Sequence, residues 1–163
     1  MGNPSTNNSY RTFLASAYSG GTTLAVLSNV SFAGNDLAVL GETGEELTEL
    51  ETTSSITGKT TITLAAALDF NHPKDTPVYR VPWNFVDIEG RSTSTDTFAR
   101  ITLSPIQWDK LNTVYLHSDG TDTWQYRFRF YNAVANTYSE YSPTITGSGF
   151  TRSSVGYMIR QVR

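Results

Sequence analysis

The side chains in this sequence best suited to moving a proton near neutral pH are its two histidines, His72 and His117. His72 is flanked by Asp69 and Asp75, and one imidazole beside two carboxylates is a donor set that divalent cations accept. The Asn71-His72-Pro73 context is also a turn signal, because the residue before a proline is driven out of the helical region. A turn-forming role is the expectation for His72. His117, before the Ser118-Asp119-Gly120-Thr121 hairpin turn, is read the same way. Asp119 and Asp122 offer oxygens to calcium, but the full spacing of a dedicated calcium loop is missing. Gly147-Ser148-Gly149 supplies a serine in a flexible tail, without the strand, elbow and helix that expose a nucleophile. Glu42, Glu45, Glu46, Glu49 and Glu51 are close in sequence. Alternate strand residues point apart, so these acids suit protection of a sheet edge better than a glycosidase pair. With no cysteine, thiol catalysis, disulfides and cysteine-ligated metals are excluded. The sequence predicts no catalytic residue, no metal and no cofactor.

The remaining candidates are binding groups. In Trp124-Gln125-Tyr126-Arg127-Phe128-Arg129-Phe130-Tyr131 the side chains of an extended strand alternate between two faces. Trp124, Tyr126, Phe128 and Phe130 are predicted to point inward, and four inward aromatics need a second apolar layer over them. Arg127, Arg129 and Tyr131 then point outward. On a chain that is only 17% charged they are a candidate subunit contact. Arginines beside an aromatic also suit nucleic acid, but the net charge of -3 and the scarcity of lysine argue against it. Trp83 and Trp108 form an alternative: with the tyrosines they would make a stacking platform for a carbohydrate or receptor, although core packing is the simpler role.

The elements that must position these groups read as strands. Thr22-Thr23-Leu24-Ala25-Val26-Leu27 turns Leu24 and Val26 inward, Gly34-Asn35-Asp36 breaks the chain, and Leu37-Ala38-Val39-Leu40 follows. A more polar strand carries Leu47, Leu50 and Ile56, and Thr57-Gly58-Lys59 turns into Thr60-Thr61-Ile62-Thr63-Leu64. Val78-Tyr79-Arg80-Val81 closes the set. Pro82 marks a boundary, after which strands are expected around Trp83 to Ile88, Phe98 to Leu103, Val114 to Leu116, 124–131 and Tyr138 to Ile145. Residues 1–20, rich in Ser, Asn and Thr, read as an arm that is disordered alone. The expected organisation is all-β: arm 1–20, small β-barrel 21–81, β-sandwich 82–147 and C-terminal tail 148–163.

Trp83 to Ile145, with its Tyr126-Arg127-Phe128-Arg129-Phe130 strand and final Tyr138-Ser139-Glu140-Tyr141-Ser142 segment, resembles the later strands of a fibronectin type III sandwich, one or two strands short. Gly21-Thr22-Thr23-Leu24, Phe32-Ala33-Gly34-Asn35-Asp36, Thr60-Thr61-Ile62-Thr63-Leu64 and Phe70-Asn71-His72-Pro73 resemble small β-barrels of structural proteins in tailed bacteriophages, where such a barrel is joined to a fibronectin-like or immunoglobulin-like module. This resemblance implies a non-enzymatic virion component, made in the host bacterial cytoplasm and present in several copies or as a homo-oligomeric ring. It places the chain first at the head-to-tail interface and second on the head surface. Its partners would be portal, adaptor, capsid or tail proteins, with no direct nucleic-acid or membrane contact. A carbohydrate- or receptor-binding module of a tail or fibre is the competing expectation.

The two ends add to that picture. Residues 1–51 hold Arg11 against six acids, whereas 148–163 hold Arg152, Arg160 and Arg163 with no acid, a polarity suited to head-to-tail contact between copies. Val155, Ile159 and Val162 recur at helical spacing after Ser153-Ser154, which predicts a short amphipathic helix. Arg152, Val155, Met158, Ile159, Arg160 and Val162 are the candidate docking residues of that tail.

Overall fold

Threonine and aliphatic residues alternating along short segments favour extended backbone, and nearly every such segment is a strand in the computed structural model, which describes residues 10–147 and 157–159. The protein is all-β, with no helix among the described residues. It divides into two compact units. One comprises residues 10–84 with 107–111; the other comprises 85–106 with 112–147 and 157–159.

The first unit is a curled half-barrel sheet of six strands: β1 (Arg11–Phe13), β2 (Thr23–Ala25), β3 (Leu37–Leu40), β4 (Glu49–Thr57), β5 (Thr61–Leu64) and β6 (Pro77–Val81). Their spatial order is β1-β6-β3-β4-β5-β2, antiparallel throughout. A register shift between Thr53 and Ser55 bends β4, the usual effect of an extra residue on one strand. The two outer strands meet through an antiparallel bridge between Leu14 and Val26, backed by Ala15 N–H to Ala25 O (2.8 Å) and Leu27 N–H to Phe13 O (2.9 Å). The concave face holds Leu14, Leu24, Val26, Ala38, Leu40, Ile62, Leu64 and Val78, all essentially without solvent contact, with Tyr18 and Phe32 at its margin. Leu37 and Val39 face the other way, opposite Val81 and Tyr79, and are buried as well.

Two expectations are corrected here. Residues 10–20 are not a disordered arm: β1 pairs with β6, and Leu14 and Tyr18 belong to the core. Their polar neighbours hid this, because an edge strand needs only one inward side chain in two. Pro82 lies within two residues of the observed boundary, but 107–111 returns to the half-barrel unit, where Gly44 N–H bonds Trp108 O at 2.9 Å. The remaining residues expected in the arm, 1–9, lie outside the described set.

The second unit is built on β7 (Phe85–Arg91), β8 (Ala99–Pro105), β9 (Tyr115–His117), β10 (Gln125–Asn132), β11 (Thr137–Tyr138), β12 (Ile145–Thr146) and β13 (Tyr157–Ile159). Its main sheet runs β11-β10-β7-β8, with β12 pairing the other end of β10. The expected hairpin from β9 into β10 does not form. Gly120 N–H does reach His117 O (3.3 Å) and closes a turn, but without a left-handed φ at Gly120, and the strand partner of β9 is β13. That pairing also replaces the expected tail helix around Ile159 with extended backbone at Tyr157–Ile159. Arg152, Val155, Arg160 and Val162 lie outside the described residues.

Candidate functional site

The two central strands of the second sheet are written in complementary charge. Their register sets Gln125 opposite Arg91, Arg127 opposite Glu89, Arg129 opposite Asp87 and Tyr131 opposite Phe85. All eight share one face, because directly opposed residues in an antiparallel pair project the same way. The intervening pairs, Tyr126 with Gly90, Phe128 with Ile88 and Phe130 with Val86, form the other face. Of these, Tyr126, Phe128, Ile88 and Val86 are buried. The predicted alternation along 124–131 is therefore observed, although Trp124 and Phe130 are half-buried.

Charges on the first face are matched inside the sheet. Asp87, with no solvent exposure, accepts Arg100 Nε at 2.6 Å and Nη2 at 2.9 Å, and Arg129 Nε at 3.0 Å. A register shift between Ile88 and Glu89 puts Arg100 opposite Glu89 and within diagonal reach of Asp87. Burial alone would push the Asp87 carboxyl up, but the hydrogen bonds from Arg100 and Arg129 outweigh it and hold the pKa below the usual carboxylate value. Glu89 is bound by Arg127 (Nη2 to Oε2, 2.6 Å) and by the Tyr141 hydroxyl (2.7 Å). Burial, then the bond to Glu89, raises the pKa of that phenol.

Aromatic rings sandwich the guanidinium planes. Arg127 lies 3.9 Å from the Tyr141 centroid and 4.3 Å from that of Phe98, and Arg129 lies 3.8 Å from Tyr138. Arg91 stacks on the other contact of Phe98 at 4.4 Å and donates to Gln125 Oε1. Tyr131 stacks on Tyr138 at 4.4 Å. The strap that supplies Tyr138 and Tyr141 is held along β10 by serines: Ser139 Oγ accepts Phe130 N–H (2.8 Å) and Ser142 Oγ accepts Phe128 N–H (3.0 Å). Those hydroxyls complete an edge ladder next to Pro143, which has no N–H to give.

Arg127, Arg129 and Tyr131 are thus together on one face, as expected, but the face is covered by its own chain. No local pattern marks this cover, since Asp87 and Glu89 are far away along the chain; the alternation in both segments is the available signal. Trp108 is 4% exposed and its Nε1 is a buried group without a hydrogen-bond partner among the described residues, so it is core and not a stacking platform. Trp83 is half-buried.

The histidines have structural partners. His72 Nε2 lies 2.8 Å from Glu49 Oε1, and the same carboxylate accepts the N–H groups of Asp69 (2.8 Å) and Phe70 (3.1 Å). Backbone bonds between Tyr18 and His72 in both directions pin this loop to the first strand region. Asp69 and Asp75 do not join His72 in a metal-binding group, and no set of three or more potential ligands gathers among the described residues. His117 Nδ1 meets the Tyr126 hydroxyl at 3.0 Å, and burial lowers its pKa against the weaker opposing effect of Asp119.

No protein-family model, curated protein or solved structure matches the chain.

Proposed function

We propose that this chain is a non-enzymatic structural component of a tailed phage particle, working at the head-to-tail interface, in which a half-barrel and a fibronectin-like unit are preformed and the chain's end locks a joint. The observation that carries this reading is the pairing of Tyr157–Ile159 with Tyr115–His117. Strand addition of this kind draws its affinity from main-chain hydrogen bonds and asks little of side-chain sequence, which suits repeated joints between copies or with a neighbouring ring. A two-stranded ribbon of three residues per strand is marginal on its own. A neighbouring subunit would supply the missing support. Exposed Val114, just before that strand, and exposed Leu116, within it, favour the same role.

The test is particle composition. The full chain should be recovered in purified particles at a fixed, ring-like copy number by quantitative mass spectrometry, and a chain truncated after Gly147 should fail to incorporate. Absence of the chain from particles, or full incorporation of the truncated form, would overturn the proposal.

A further inference from the structure

We infer that the Arg100 side of the charged sheet face is a docking site for a second copy of this chain, which supplies the Glu45-Glu46-Leu47 tip of its half-barrel. The contact does not rest on the phage reading, and its test needs no particle.

The basic surface follows from how the sheet shares its charges. Arg91, Arg100, Arg127 and Arg129 are the only arginines or lysines of the second unit among the described residues, and strand register gathers all four on one face. Arg127 pairs with Glu89, and Arg91 donates to Gln125 and to the Asp96 carbonyl. Arg100 and Arg129 share the single carboxylate of Asp87. Arg100 gives that carboxylate two of its five N–H donors and Arg129 gives it one, which leaves both spare donors and a positive charge. Asp87 is fully buried, whereas the Arg100 side chain is 48% exposed. The strap covers the β10 side of the face. Next to Arg100 it leaves Tyr138 exposed, and half-buried Leu103 of β8, opposite Asp87, shares the same face.

The acidic surface is what the half-barrel leaves unused of its glutamate-rich segment. Glu42 accepts from the Tyr79 hydroxyl (2.9 Å), Glu49 holds the His72 loop, and Glu51 accepts the N–H of Thr52 (2.7 Å). Glu45 and Glu46 are exposed, and their carboxylates have no partner among the described residues. They stand on a preformed turn: Glu45 N–H bonds Glu42 O (3.1 Å), Thr48 N–H bonds Glu45 O (3.0 Å), and Gly44 takes a left-handed φ of 97°. A tip ordered in advance loses little freedom on docking. Leu47, also exposed, follows the two acids.

The two surfaces match in kind. A carboxylate fits the planar fork of a guanidinium, and Tyr138 and Leu103 offer Leu47 an apolar seat beside it. The second unit's four arginines stand against six acids, Asp87, Glu89, Asp96, Asp119, Asp122 and Glu140, which disfavours a long polyanion such as nucleic acid. Two carboxylates on a short tip suit it better. Because the two surfaces are different patches of one chain, the contact is head-to-tail and repeats from copy to copy, as a ring or an open filament.

The experiment is sedimentation equilibrium on the full chain. The weight-average mass should rise at least about twofold between roughly 10 μM and 1 mM protein, as a dissociation constant on the order of 100 μM requires. It should return to that of a monomer in about 1 M sodium chloride, where the Debye length is about 3 Å. Glu45→Lys combined with Glu46→Lys should abolish the rise, and so should Arg100→Gln. Each variant keeps the surface that the other has lost, so an equimolar mixture should form a one-to-one complex and nothing larger. Because Arg100→Gln removes a hold on Asp87, the exposed glutamate variant decides the matter if the other loses its folded spectrum. A monomer at every concentration, or association by the glutamate variant equal to that of the unaltered chain, would overturn the inference. So would a chain that stays monomeric while retaining a labelled oligonucleotide.

Discussion

The half-barrel and the second sheet solve one problem, covering both faces of a short-stranded sheet, with different chemistry. In the half-barrel the strand β3 is buried on both sides, and most of the unit's buried polar side chains are neutral, as where Asn29 Nδ2 donates to the carbonyls of Thr61 (2.9 Å) and Thr57 (3.3 Å), with the Glu49 carboxylate on buried His72 as the exception. In the second sheet one face is aromatic and the other is a lattice of guanidinium, carboxylate and phenol groups around Asp87. Apolar burial is tolerant of pH and salt, at about 25 cal/mol per Å². A buried ion network is directional: it fixes register and partner, and it fails abruptly when one member is removed.

Four measurements would break or sharpen that contrast. The largest effect is expected from Arg129→Glu, which sets a carboxylate against buried Asp87. It should cost about 3–5 kcal/mol, read by denaturant unfolding, with hydrogen exchange showing the loss in β7 and β10 while β3 stays protected. A folding cost of that size would mark Arg129 as a residue that holds the sheet together, beyond the subunit contact expected from the sequence. Leu40→Ala in the half-barrel should cost about 2–5 kcal/mol through a cavity and show no dependence on salt; a strong salt dependence would break the comparison.

Acidification comes next. The folded-state pKa of Asp87 is lowered, so its contribution is present above the unfolded carboxylate value of about 3.9 and is lost as pH falls through the lower folded value. His117 acts in the same direction at higher pH. Its folded pKa is lowered by burial, so the unfolded chain takes up the proton first and stability falls once pH drops below about 6.5. Hydrogen exchange on a descending pH series should therefore open the second sheet before β3 and β4, and simultaneous opening would contradict the assignment. The smallest effect belongs to Arg127→Ala, whose partly exposed pair with Glu89 contributes about 1 kcal/mol or less.

What the sequence disclosed follows a physical divide. Local rules carried the strands at Leu37–Leu40, Thr61–Leu64 and 124–131, and the turns at Asn35 (φ 68°) and Gly58 (φ 57°), because alternation and left-handed backbone leave direct marks on residue choice. Long-range partners left none. Leu14 and Tyr18 were concealed in a serine-rich stretch, Trp108 gave no sign that its segment returns to the half-barrel, and Val155, Ile159 and Val162 fit a helical period although Tyr157–Ile159 pairs as a strand. Arg127 and Arg129 were located on the correct face, but their occupancy depended on Asp87, Glu89 and Tyr141, which only the strand register brings near.

The indole nitrogen of Trp108, buried without a hydrogen-bond partner among the described residues, gives the molecule an optical label. An indole in apolar surroundings, with no hydrogen bond to relax its excited state, emits toward the blue. Trp108 belongs to the half-barrel unit, as does half-buried Trp83, whereas half-buried Trp124 sits edge-on against His117 in the second unit. With Trp83 replaced by phenylalanine, the blue emission of Trp108 and the redder emission of Trp124 would report on different halves of the chain. A single unfolding trace could show which half melts first, without adding a dye.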